Sequence, residues 1–295
     1  MEYVIHILIL YCIYLILGVS LNLITGYAGL ITLAHAGYFG IGAYVIAILS
    51  TSTNMPAALN ILIAVLFCII VCVVVAIPTL RIRDDYFAIA TFMLHIIIYN
   101  IFNNWISVTG GPMGITEIQN LSFGFVNLYS TFSYFVVIFV VCIISLAIMR
   151  RICLSPYGKV LKGIREDELL LRSFGINVNK YKISVFIVGS SFASLAGALY
   201  AYYVGFVSPP AFTFMESVYI LAIIIIGGAG NFWSPILGAL VMVLFPEIFR
   251  FIGLPNSIVA NLRQILLGVA IILFLVYRPK GILGENIFAK TGKLE

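Results

Sequence analysis

The sequence predicts an all-α fold, a polytopic transmembrane bundle of about nine to ten spans forming one domain over residues 1–295. Three observations carry that prediction. The chain is 63% hydrophobic and 9% charged, against the ~25% charged residues usual in soluble domains. Its mean hydropathy is +1.16. Apolar runs of the ~20 residues needed to cross ~30 Å of hydrocarbon recur along nearly its whole length, which excludes a separate soluble domain.

The first run, 4–24, follows Met1-Glu2 without the basic leader and small-residue cleavage site of a secretory signal, so it is read as a retained span. The second, 28–50, is the least regular. Gly26, Gly29, Gly37, Gly40 and Gly42 can break the stretch 20–50 into a half-helix and a re-entrant segment. Runs at 57–80, 86–103, 128–149 and 183–204 are uninterrupted. Those at 215–229, 233–252 and 262–277 complete the set, the first of them ending on Gly227-Gly228-Ala229-Gly230. That tetrapeptide echoes Gly26-Tyr27-Ala28-Gly29, and each is followed by a Gly-Ala pair, at Gly42-Ala43 and Gly238-Ala239. Glycine-interrupted segments in both halves are the pattern of an inverted repeat.

Charge orients the chain. Arg81 to Asp85, the stretch Arg150 to Lys182, and the tail basics Arg278, Lys280, Lys290 and Lys293 all fall inside if that face is cytoplasmic, which leaves only Arg250 and Arg263 of 16 basic residues outside. Nine spans then put the N-terminus outside and the C-terminus inside. Half of all basic residues lie in 150–182, whose net charge of +5 equals that of the whole chain. Ser155-Pro156 reads as a helix start, and Gly175 with Asn177 as a stop. Between them Tyr157, Val160, Leu161, Ile164, Leu171 and Phe174 recur at helical spacing, giving one or two short amphipathic helices. Lys162 with Glu166 and Glu168 with Arg172 are spaced for i,i+4 pairs. Such a loop suits anionic headgroups or a partner protein, and the acidic run Glu166-Asp167-Glu168 favours the protein.

Candidate chemistry is sparse. No span carries an unpaired charged residue near its middle, where ion-coupled carriers keep one. Glu247 lies towards the end of its span and can pair with Arg250. His35 and His95 lie in apolar runs, as pathway residues or as interhelical hydrogen-bonding groups. Cys12, Cys68, Cys72, Cys142 and Cys153 lack metal or redox spacing and read as buried thiols. No nucleophile triad, phosphate loop or metal set occurs, so the chain does not read as an enzyme. Small-residue stripes at Gly189, Ala193, Gly197, Ala201 and at Ala36, Gly40, Ala43, Ala47 predict close helix crossings.

Several motifs then occur in a fixed order: Gly26-Tyr27-Ala28-Gly29 running to Gly40-Ile41-Gly42-Ala43-Tyr44, Asp85-Tyr86-Phe87-Ala88-Ile89-Ala90-Thr91, and Asn103-Asn104-Trp105 leading to Thr109-Gly110-Gly111-Pro112-Met113-Gly114-Ile115. Ser155-Pro156-Tyr157-Gly158, Ile164-Arg165-Glu166-Asp167-Glu168, Gly175-Ile176-Asn177, Leu195-Ala196-Gly197-Ala198-Leu199-Tyr200-Ala201 and Arg278-Pro279-Lys280-Gly281 follow. In this order the chain resembles permease subunits of branched-chain amino acid ABC importers, of the LivM kind, over almost its full length.

The resemblance implies a multi-pass protein of a bacterial or archaeal plasma membrane, pairing with a second, LivH-like permease subunit to form the translocation pathway. It implies two ABC ATPase subunits that bind ATP and Mg, an extracytoplasmic substrate-binding protein, no cofactor on this chain and no nucleic acid. Leucine, isoleucine or valine is the implied cargo. The coupling loop would comprise Tyr157, Gly163, Ile164, Arg165, Glu166, Asp167, Glu168, Arg172 and Gly175. Glu168 to Gly175 resembles the Glu-Ala-Ala-x-x-x-Gly signature of importer permeases, one residue longer and with Leu169-Leu170 for the alanines. Asn22, His35, Thr91, His95, Gly227 and Gly230 are the pathway candidates, and Thr109, Gly110, Gly111 and Pro112 would shape the external mouth. Urea, short amides or other amino acids as cargo, and a stand-alone channel or secondary carrier, stay open as alternatives.

Overall fold

A computed structural model describes residues 2–251 apart from 54, 80–83, 120, 124–125 and 128–129, together with 268–269, 272, 276–277 and 281–283. Among the described residues the regular structure is helical save for an antiparallel hairpin of two-residue strands, β1 (Ser122–Phe123) with β2 (Val126–Asn127). The helices are α1 (Glu2–Leu21), α2 (His35–Ser52), α3 (Ala57–Thr79), α4 (Asp84–Asn104), α5 (Ile106–Thr109), α6 (Thr131–Leu154), α7 (Pro156–Glu166), α8 (Glu168–Ser173), α9 (Val178–Val204), α10 (Phe214–Gly227) and α11 (Ser234–Phe251).

Six helical segments among the described residues are long and apolar enough to cross a membrane: 2–27, 57–79, 86–104, 131–154, 178–204 and 209–227. This defines a multi-pass membrane protein with fewer clear spans than hydropathy alone predicts. The expected run 28–50 begins as non-helical chain and becomes helical only at His35, so α2 has 18 residues, rich in glycine and small residues, enclosed by the bundle. The expected run 233–252 gives α11, whose apolar stretch is Ser234–Leu244. The expected run 262–277 falls largely outside the described residues, as do Arg81 and the basic tail.

The irregularity at 20–50 resolves into two helical pieces. α1 continues as a π-helical turn over Asn22–Tyr27, and residues 28–34 are non-helical, with Gly29 at φ +73°. A π turn widens the helix by one residue and commonly marks a functional position.

The core is built on α2 and α9. Gly197 of the α9 stripe crosses α2 at Phe39 and Ala43, a Cβ there lying 1.9 Å from the Phe39 carbonyl oxygen, and a Cβ on Gly42 would lie 2.1 Å from that of Ser194, whereas Gly40 of the expected α2 stripe faces Phe102 and Phe212 instead. Backbone-to-backbone approach of this kind replaces the hydrophobic drive that lipid cannot supply. α1 and α3 flank the pair, α6 packs on α1, and α10 and α11 close together at a second glycine crossing, Gly238 against the Ile223 carbonyl. α3 and α4 turn large apolar side chains outward, including Ile70, Val74, Ile89 and Ile97. All five cysteines are free and buried, and Cys68 and Cys72 lie on the same face of α3.

Candidate functional site

The polar island folds as two short helices at one end of the bundle. Ser155 holds the N-cap position of α7 with its hydroxyl turned back to the Ile152 carbonyl at 2.7 Å, and Pro156 follows in the first turn, where a missing N–H costs nothing. α7 stops at Glu166, and Asp167 starts α8 by accepting a 3.0 Å hydrogen bond from Leu170 N. Gly175, at φ +78° with open space around it, turns the chain away after α8. Asn177, expected as a stop, acts as a start: its Oδ1 accepts from Lys180 N at 3.2 Å and caps α9.

The apolar stripe of α7 faces inward. Leu161 and Ile164 are buried in the core of the bundle, and Tyr157 stacks on Tyr181 while its hydroxyl lies 2.7 Å from that of Ser184. The stripe therefore seats the helix on its own protein instead of presenting it to a groove elsewhere. The apolar surface left open belongs to α8 and its end: Leu169, Leu170 and Phe174 are 77%, 52% and 73% exposed. Gly163 admits the Leu171 side chain, whose Cδ1 would lie 2.9 Å from a Cβ there, and so lets α8 fold back on α7.

Among the described residues, charge ties the island to the bundle at Glu168 and at Arg165, and Arg150 lies 5.8 Å over the Trp233 ring as well. Glu168 accepts from Arg172 at 2.6 Å and from Lys182 at 2.7 Å, tying α8 to the start of α9. Burial resists ionisation of Glu168, yet the bonds and charges of Lys182 and Arg172 outweigh it and hold the carboxyl below its ordinary value. At the second point, Arg165 Nη1 donates to the Gly26 carbonyl at 2.7 Å while Nη2 meets the exposed Glu166 at 3.1 Å. Lys162 lies 5.1 Å over the Tyr27 ring, and Gly29 presses on the Arg165 side chain. The island thus rests on the broken end of α1.

That broken end also meets the second glycine motif. Asn22 spans the gap: its Nδ2 donates to the Asn231 carbonyl at 2.9 Å and its Oδ1 accepts from Gly230 N at 3.1 Å. A side chain on Gly26 would lie 2.6 Å from Gly230 N. Gly230 itself sits at φ +88°. The two tetrapeptides that echo one another in sequence are therefore in contact. Gly227 lets α10 reach α11, its would-be Cβ lying 2.1 Å from the Ser234 carbonyl.

His35, Thr91 and His95 gather around the start of α2. His35 Nε2 lies 2.9 Å from Ser20 Oγ, Leu33 N donates to Thr91 Oγ1 at 3.1 Å, and Ala36 N donates to Ser217 Oγ at 3.1 Å. His95, buried beside Gly37, has neither ring nitrogen hydrogen-bonded. All six pathway candidates are enclosed. None lines the cavity of about 480 Å³ between α2, α3 and α4, whose walls include Tyr44, Phe67, Ile98, Phe102, Trp105 and Thr109.

At the opposite end, Thr109 Oγ1 donates to the Phe102 and Trp105 carbonyls, closing α5 on α4. Gly110, Gly111 and Gly114 all take positive φ around Pro112, as a turn this tight requires. Ile115 then bridges Val207, pinning the turn to the chain that follows α9.

Composition missed Glu216. It falls at the edge of an expected span, yet the structure places it inside the bundle, where Tyr14 Oη donates to its Oε1 at 2.6 Å. The expected Glu247–Arg250 pair involves an Arg250 side chain outside the described atoms; Tyr3 Oη donates a hydrogen bond to Glu247.

These features define a multi-pass membrane protein with a polar platform seated on a discontinuous helix. A model of the family described as "Branched-chain amino acid transport system / permease component" matches residues 3–275, and the chain belongs to that family. It is similar to the high-affinity branched-chain amino acid transport system permease protein LivM of Escherichia coli, 32% identical over 92% of this chain and 68% of the relative. It is also similar to a probable LivM of Methanocaldococcus jannaschii, at 26% over 95% and 93%. The LivH permease protein of E. coli matches more narrowly, at 24% over 48% of this chain and 44% of the relative. No solved structure matches the chain.

Proposed function

We propose that this chain is the membrane-spanning permease subunit of an ATP-driven importer for leucine, isoleucine and valine. It forms the translocation pathway with a second, LivH-like permease subunit. Two ABC ATPase subunits hydrolyse ATP with Mg on the cytoplasmic face, where the island 150–182 and the C-terminus lie. A substrate-binding protein delivers cargo to the external mouth around Thr109, Gly110, Gly111 and Pro112. The membrane is the plasma membrane of a bacterium or archaeon.

One observation supports this reading most: the island carries two apolar faces with different uses. α7 is locked to the bundle by Leu161 and Ile164, while α8 holds Leu169, Leu170 and Phe174 in solvent beside Arg172 and Glu166. An exposed apolar ridge among mixed charges suits a protein groove. Force applied to α8 passes through Gly163 to α7, and from Arg165 to Gly26, where the first span breaks. The contact of the two glycine motifs at Asn22 and Gly230 fits an inverted arrangement of the two halves, with Asn22, His35, Thr91, His95, Gly227 and Gly230 at the joint that moves as the pathway opens.

Purification in mild detergent tests the assembly. Retention of an ATPase and a second permease supports the importer, whereas ATP-independent transport by the solitary chain in liposomes defeats it. Uptake competition among leucine, valine and urea assigns the cargo.

A further inference from the structure

We infer that the junction of α6 and α7 holds the phosphodiester headgroup of an anionic phospholipid, with Arg150, Arg151 and Lys159 as its cationic contacts. The inference goes beyond the importer reading and rests on it only for the leaflet, the cytoplasmic one.

Charge divides the island into two surfaces. Its acids are confined to Glu166, Asp167 and Glu168, and no acidic residue occurs between Glu117 and Glu166. Around those acids the cations are matched: Arg165 meets Glu166, while Arg172 and Lys182 meet Glu168. Arg150, Arg151 and Lys159 are exposed and form no ion pair among the described residues. The carbonyls that end α6 are met by other groups. That of Ile152 accepts from Ser155 N at 3.2 Å and from Ser155 Oγ at 2.7 Å, and Gly158 packs against that of Cys153. The same packing brings Lys159, the next residue, to the end of α6.

Depth sets these charges at headgroup level. α6 has 24 residues, a rise of ~36 Å against ~30 Å of hydrocarbon, so its final turn emerges from the apolar layer. Its outward face runs through Val140, Ile144 and Ile148, all exposed, and reaches Arg151 and then Leu154, exposed as well. Acyl chains lying along that face bring their phosphate to Arg151. Trp233 marks the same level, since it is 54% exposed and the Arg150 guanidinium stands 5.8 Å over its ring. Tryptophan is enriched where the membrane meets water. A guanidinium stacked on a ring keeps its edge N–H donors, which fit two phosphate oxygens at once. Three unmatched cations select a lipid of net negative charge over a zwitterionic one.

The test places the full chain in phosphatidylcholine bilayers and quenches its tryptophan with brominated phosphatidylglycerol, with brominated phosphatidylcholine as reference. The chain has two tryptophans, and Trp105→Phe leaves Trp233 as the reporter. Brominated phosphatidylglycerol should win the place beside Trp233 by about fivefold at ~0.1 M salt, and the advantage should vanish at ~1 M salt. Arg150→Gln, Arg151→Gln and Lys159→Gln combined should bring it within about twofold of no advantage at the lower salt. Equal quenching by the two lipids before any basic residue is changed overturns the inference. So does an advantage that survives either ~1 M salt or the triple substitution. The salt arm leaves all three basic residues in place, so it decides the matter even where the triple variant fails to insert. Loss of the ATPase from the triple variant in mild detergent, with the lipid advantage unchanged, overturns it in favour of a protein partner at this junction. Quenching needs no transport. A wild-type complex that takes up no leucine therefore removes the importer reading and leaves the lipid contact, while equal quenching of a chain whose complex does transport leucine removes the lipid contact alone.

Discussion

Arg165 Nη1 donates a 2.7 Å hydrogen bond to the carbonyl oxygen of Gly26, joining α7 to the π turn that ends the first span. The Arg165 side chain is only 9% exposed, so its guanidinium is held by this contact instead of by water. A hydrogen bond to a charged group is worth ~1.5–3 kcal/mol when its partner would otherwise be stranded. Arg165→Ala should leave the chain in the membrane but lower its melting temperature and reduce uptake per ATP hydrolysed. Glu166, more than half exposed beside it, separates the two effects: charge reversal there should impair coupling with little change in melting. Normal uptake per ATP in both variants would remove the α7 contact from energy transfer.

The α2–α9 crossing supports a sharper stability prediction. A Cβ at Gly197 meets the Phe39 carbonyl at 1.9 Å and Ala43 N at 3.0 Å, all backbone atoms that no rotamer change can move. At Gly189 the nearest atoms are the flexible tip of Ile24, at 2.4 Å, with backbone only at 3.3 Å. Gly197→Ala should therefore abolish monodisperse protein in detergent. Gly189→Ala should cost about 1–3 kcal/mol, the usual range for overpacking, and still fold. Size-exclusion profiles and thermal melting distinguish them, and equal behaviour would contradict the crossing.

Glu168 gives a pH dependence with a defined sign. Lys182 and Arg172 hold its carboxyl below the ordinary glutamate value. The unfolded chain therefore takes up the proton first as pH falls. The stabilisation is fully present above that ordinary value and is lost as pH drops through the lower, folded one. Limited proteolysis between α7 and α9 should accelerate across that acidic window in wild type. Glu168→Gln should be cleaved faster at neutral pH and show a flat profile, and a profile identical to wild type would assign the dependence to another group.

How much of this was legible beforehand follows from the physics of each signal. Helix spans and the turns of the polar island are local patterns: the expected runs 57–80 and 86–103 coincide with α3 and α4 within about two residues, while α6 and α9 extend about five residues further into the island than hydropathy places them. Inward or outward orientation is not local. The stripe of Tyr157, Leu161 and Ile164 reads identically whether it packs on its own bundle or on a partner, and only the position of α7 beside Tyr181 and Ser184 decides it. Depth is likewise invisible in a hydropathy plot. Glu216 looks like the polar end of a run because nothing in the sequence says that residues 205–213 fold back into the bundle before α10 begins. The partial echo of Gly26–Gly29 and Gly227–Gly230 marked a real contact, made by the candidate Asn22 with Gly230 and with Asn231, and only Asn231 carried no pattern of its own.

The last prediction concerns the face α8 leaves in solvent. Leu169 and Phe174 are the most exposed apolar residues of the island, at 77% and 73%, and neither is part of the packed core. Their truncation should therefore be neutral for folding, because surface changes away from packed or bonded groups usually stay within ~0.5 kcal/mol. If this face seats on an ATPase, the same residues act as anchors, and loss of one buried anchor typically costs more than 1–2 kcal/mol of binding, roughly a tenfold weaker complex or worse. Leu169→Ser with Phe174→Ser should thus keep the wild-type melting temperature of the isolated chain while the ATPase is lost on washing in mild detergent. Leu161→Ser, directed at the buried side of α7, should do the reverse and destabilise the chain itself. An ATPase retained at wild-type level by the Leu169→Ser, Phe174→Ser protein would move the docking surface off α8, while melting changed by that pair would show that the face is packed and not free.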